Sequence, residues 1–108
     1  MNLSTKCNPD SVLNAVSEIS GFSHDEITGA KRGGSVVAWR HIGMFVARQR
    51  GMTLDQVGQL FGKHYTSVSF AERKVERKKA NDTVKKAIDS VNNVVDEHER
   101  DAVYTNRS

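Results

Sequence analysis

Cysteine occurs once in the 108 residues, at Cys7. A lone thiol excludes an intramolecular disulfide and suits a reducing cytosol. No apolar run approaches the roughly 20 residues that a membrane helix requires. The first residues show no apolar stretch of the secretory kind, so a cytoplasmic protein is expected. Strand-type alternation is nearly absent and the apolar residues recur at helical spacing, which points to an all-α fold. The four histidines, His24, His41, His64 and His98, are scattered with no ligand spacing, and a metal site is not expected. No paired acids and no Ser/His/Asp grouping stand out, so neither an enzyme nor a cofactor is expected. Gly58–Lys63 looks like part of a phosphate loop. It is one residue short between the glycines, lacks a Ser or Thr after the lysine, and follows no strand. No internal repeat is present.

What the chain does have is an uneven charge. The net charge of +3 hides three segments. Residues 1–29 carry one Lys and four acids, net −3. Residues 30–80 carry eleven Lys or Arg against three acids, net +8, and residues 81–108 return to net −2. A solvated helix face accounts for any one lysine cluster. Concentration of the positive charge in the middle of the chain favours a polyanion partner.

That middle segment carries the chain's most organised stretch, residues 52–79. Thr53 is a good N-cap with Gln56 three residues on, a capping box. Leu54, Val57, Leu60 and Phe61 give the following helix one apolar face, and Gly62 ends it. A second helix starts near Tyr65. Val68, Ala71 and Val75 form its inward face, and Arg73, Lys74, Arg77 and Lys78 lie opposite. Two helices joined by a short Gly-containing turn, the second one basic, form a helix-turn-helix suited to a major groove.

Around it the spacing predicts further helices. Residues 1–7 read as a flexible N-terminus, followed by one domain over 8–98 and a flexible tail over 99–108. Asn8 caps the first helix, with Pro9 at its first position and Val12, Ala15, Val16 and Ile19 as its buried stripe. Ser23 and Glu26 box the start of a short second helix, and Phe22 and Ile27 are core candidates. Residues 28–35 read as a basic, Gly-rich loop whose Lys31 and Arg32 suit phosphate or a minor groove. The next helix is expected from Val37 to Gln49, with Trp39, Ile42, Phe45 and Val46 inward and Gly43 allowing a close crossing. Arg40 then falls in its first turn, where a cation opposes the helix dipole and a phosphate supplies the reason. Arg48 and Arg50 suit the helix end and read as structural. A last helix fits Thr83 to about His98. Its stripe of Val84, Ile88, Val91 and Val95 suits packing on the domain or a homodimer seam.

From Ile27 to Val75 the chain resembles the C-terminal DNA-binding domain of DnaA, the bacterial replication initiator. The resembling segments are Lys31-Arg32, Arg40–Met44, Leu54–Gly62 and Thr66–Val68. The resemblance implies a Trp repressor-like domain of about five to six helices, here without the family's ATPase domain. It implies an arginine in the minor groove at Arg32 and a phosphate contact at Arg40. Major-groove contacts are implied for Lys63, His64, Tyr65, Thr66 and Ser67, with Ser69, Arg73 and Lys74 beside them. The family's turn reads Gly-Gly-Arg-Asp-His-Thr-Thr. Here one residue is missing, and His64 and Tyr65 stand at the Asp and His positions, so the usual initiator box need not be the target. A neutral His offers one donor and one acceptor, and Tyr offers a hydroxyl and a ring able to lie against a thymine methyl.

The expected function is therefore double-stranded DNA binding, sequence-specific, in the control of replication or transcription, with a phage or mobile element as a suitable source. The competing reading is a protein-interaction module of the same fold, acting through the final helix.

Overall fold

The computed structural model describes residues 9–30 and 33–107, with side-chain surroundings for 10–30 and 33–99. Six α-helices and no strand are found among them. Helix α1 (Pro9–Ser20) starts on the proline, which has no amide hydrogen to lose there. Its Val12, Ala15 and Val16 are fully buried and Ile19 partly so. The expected cap Asn8 lies outside the described residues, as do residues 1–7. Helix α2 (His24–Thr28) opens on the Ser23–Glu26 capping box and buries Ile27 completely.

Helix α3 (Gly34–Gln49) runs through the middle of the domain and touches all five other helices. It begins three residues before the expected Val37. Burial of Val36 draws the end of the Gly-rich stretch into the helix, although glycine favours it little. Gly43 admits close crossings, since a Cβ there would stand 2.9 Å from both the Phe61 ring and Val16.

Helices α4 (Leu54–Phe61) and α5 (Tyr65–Lys78) form the helix-turn-helix. The Thr53–Gln56 capping box is present in both directions, at 3.1 and 2.9 Å. Gly62 takes the left-handed conformation, φ 67°, where a side chain would be strained. Val57, Phe61, Val68 and Ala71 are fully buried and lock the two helices to α3 and α1.

Helix α6 (Asp82–Arg107) is longer than expected. Asn81 caps it, accepting from the amides of Thr83 and Val84. It does not stop near His98, and residues 99–107, read as tail, continue the helix. No glycine or proline occurs after Gly62 to break it. Ile88, Val91 and Val95 are buried against α1 and α3. Three of the four residues of that stripe thus pack inside the chain, and Val84 is partly buried beside them. Arg48 and Arg50 are structural, as expected. Arg48 pairs with Glu72 on α5, and Arg50 reaches Asn92, Asp96 and Glu99 on α6.

Candidate nucleic-acid interface

The C-terminus of α2 leaves backbone carbonyls without helical partners, and two cations converge on them. The Arg40 guanidinium donates to the carbonyl of Ile27 at 2.5 Å and to those of Glu26 and Gly29 at 3.3 Å. The Lys63 ammonium donates to the carbonyls of Thr28, at 3.3 Å, and of Gly29. Both cations also complement the negative end of the α2 dipole. Burial draws the Arg40 pKa below its ordinary value. Burial, then the Arg40 charge, does the same for Lys63.

This corrects the reading of Arg40. It lies in the second turn of α3 and is buried, with 6% of its surface exposed. The early start of α3 removes the first-turn conflict that had called for a phosphate. The α2 carbonyls supply the reason for a cation instead. Arg40 and Lys63 tie α2, α3 and the helix-turn-helix turn into one unit, from which the basic loop departs after Gly29. Lys31 and Arg32 themselves lie outside the described residues.

The start of α5 is exposed from His64 to Ser67. His64 is the N-cap, and its Nδ1 accepts from the Thr66 amide at 3.2 Å while lying 2.9 Å from the Thr66 hydroxyl. An accepting Nδ1 places the proton of the neutral ring on Nε2, which is left as a donor. The Tyr65 ring stacks on His64, centroids 4.6 Å apart. Ser69 and Lys74 are half-buried, and Arg73, Arg77 and Lys78 are exposed. The exposed N-terminus of α5 and its basic outer face are thus contiguous.

Three features take their surroundings from packing that the sequence does not display. Gly58 lets the turn close, because a Cβ there would meet the Lys63 carbonyl oxygen at 2.6 Å. Phe70 is half exposed in the middle of α5, with the His41 ring edge-on at 6.2 Å and the Lys74 ammonium 5.8 Å from its centre. His41 also lines a groove of about 300 Å³ with Val37, Ile42, Lys74, Lys78 and Val84. Burial, then Lys74, Arg40 and Lys78, lowers the His41 pKa and favours the neutral ring. Among the described residues, no group of three His, Cys, Asp or Glu side chains could hold a metal, and no helix is long and apolar enough to cross a membrane.

Residues 9–75 match the family described as the bacterial dnaA protein helix-turn-helix. Similar proteins include the chromosomal replication initiator protein DnaA of Mycoplasma capricolum subsp. capricolum, 36% identical over 91 residues, 82% of this chain and 20% of that protein. The DnaA of Pseudothermotoga lettingae is 35% identical over 62% of this chain and 15% of its own length. That of a Picosynechococcus species is 33% identical over the same shares. The chain thus spans a fifth or less of the length of these relatives.

Proposed function

Since the chain belongs to the bacterial DnaA helix-turn-helix family, we propose that it binds double-stranded DNA by laying α5 in the major groove, with sequence preference, in the control of replication or transcription. Family membership supports DNA binding itself. The observation that carries the placement is the outer face of α5. Its N-terminus is exposed from His64 to Ser67, the basic row of Arg73, Lys74, Arg77 and Lys78 continues it, and Val68, Ala71 and Val75 anchor the opposite side. An anchored helix with a free N-terminal turn is the geometry by which such motifs reach base edges.

Roles follow from this placement. The Nε2 donor of His64 and the hydroxyls of Tyr65, Thr66 and Ser67 face base edges and the nearest phosphates. Ser69 and Lys74 flank them, and Arg73 meets the backbone. Lys31 and Arg32 reach the neighbouring minor groove from a loop whose root Arg40 and Lys63 hold in place. The relatives are named as chromosomal replication initiators, which favours replication over transcription as the process served.

The test is a mobility shift on mixed-sequence duplex DNA over a range of salt. Neutralising about 4–6 phosphates gives a slope of log K against log salt of roughly −4 to −5. A slope near zero overturns the proposal. The competing reading, a protein-interaction module acting through the last helix, keeps only the faces of α6 that Ile88, Val91 and Val95 do not occupy, and it predicts no salt-sensitive DNA binding.

A further inference from the structure

Two large apolar side chains are exposed among the described residues, Tyr65 at 48% and Phe70 at 51%, and both stand on α5. Isolated exposed aromatics are common and carry no meaning by themselves. Position gives this one a meaning. Val68, Ala71 and Val75 fix the inward direction of α5. At 3.6 residues per turn, the line facing directly away from them is Thr66, Phe70, Arg73 and Arg77. Phe70 is the one apolar residue on that line, a turn beyond the N-terminal residues that meet the bases.

Its ring is also held. His41 abuts it edge-on from α3, and Lys74 lies towards its face from the next turn of α5. A held ring loses little rotamer freedom on contact. Tyr65 is less suited to the same task, since it sits to the side of the outward line and His64 covers one face of its ring.

Resting on the placement of α5 in the major groove, we infer that Phe70 is a specificity-determining residue that reads the 5-methyl group of a thymine. Phenylalanine can neither donate nor accept a hydrogen bond. The thymine methyl is the one apolar feature that the four standard bases present in the major groove. Against a cytosine amine or a guanine acceptor, the same ring would remove water from a polar atom and replace none of its hydrogen bonds. Thr66 and Arg73, one turn to either side, supply the polar contacts that Phe70 lacks.

The experiment starts from the preferred duplex selected from a random pool. Each thymine in it is replaced singly by deoxyuridine, which removes the methyl and nothing else. Affinities of the parent, Phe70→Ala and Phe70→Leu are measured by fluorescence anisotropy, with thermal melts to confirm folding. The parent should lose about 3- to 5-fold at one thymine, the value of one buried methyl. Phe70→Ala should show no such loss at that position, and Phe70→Leu should keep part of it. A selected site without thymine, a parent indifferent to every replacement, or an unchanged methyl effect in Phe70→Ala overturns the inference while DNA binding stands. Absence of salt-sensitive binding to any duplex overturns the placement of α5 itself.

Discussion

Replacing Gly58 with alanine sets local preference against tertiary geometry, and the two predict opposite signs. Gly58 lies inside α4, where alanine is favoured over glycine by about 1 kcal/mol. A Cβ at this position would stand 2.6 Å from the Lys63 carbonyl oxygen, with the Tyr65 amide nitrogen at 3.6 Å. Carbon and oxygen normally keep roughly 3.3 Å or more apart. The Lys63 peptide must therefore retreat by about 0.7 Å. The obstacle is backbone, so no side-chain rotation relieves it. Forced overpacking costs about 1–3 kcal/mol. The retreat also stretches the hydrogen bond from the Lys63 amide to the Gly58 carbonyl, now 2.8 Å, which contributes about 1 kcal/mol. After the gain in helix preference, Gly58→Ala should be less stable by about 1–2 kcal/mol. Thermal unfolding followed by circular dichroism should show Tm lower by about 5–10 °C. The displaced peptide carries His64 and Tyr65, so DNA affinity should fall further than the loss of folded protein explains. An unchanged or raised Tm would refute the close approach of the turn.

Arg40→Met keeps the length of the side chain but removes the donors to the carbonyls of Glu26, Ile27 and Gly29. Urea unfolding should show a loss of about 2–3 kcal/mol. A phosphate-facing arginine would instead leave stability nearly unchanged and lower the salt slope by about one. His41 gives a pH dependence with a definite sign. Its folded-state pKa is lowered by burial and then by Lys74, Arg40 and Lys78, while the unfolded chain takes up a proton near the ordinary value of about 6.5. Stability from this group is complete above that value. It falls as pH drops towards the lowered folded-state value, then levels off. Melts of the parent and His41→Gln across this range should differ in slope, the variant being flatter, and parallel curves would contradict the assignment.

Much of the fold could be read from local patterns because the physics there is local. The Thr53–Gln56 and Ser23–Glu26 boxes each span four residues, and both are formed. Gly62 at the end of α4 and the Val68, Ala71, Val75 stripe follow the same logic. What could not be read depends on residues far apart in the chain. Lys63 reaches the Thr28 carbonyl 35 positions away, and Arg40 reaches those of α2. No spacing rule announces such contacts, so Arg40 looked like a phosphate ligand. The pairing of His41 with Phe70 is equally distant and appears only when α3 and α5 pack. Gly58 resembled a fragment of a phosphate loop, whereas its role is steric. The last helix ran past its expected end because the expected end rested on the fading apolar stripe, and the residues beyond it contain no breaker.

Backbone amide NMR during titration with a duplex of about two helical turns asks whether α5 is the surface that meets DNA. The largest shifts should fall from Lys63 to Phe70 and at Arg73, with α1 and the packed face of α6 nearly silent. Shifts centred on α6, or on α1, with α5 unmoved would contradict the account.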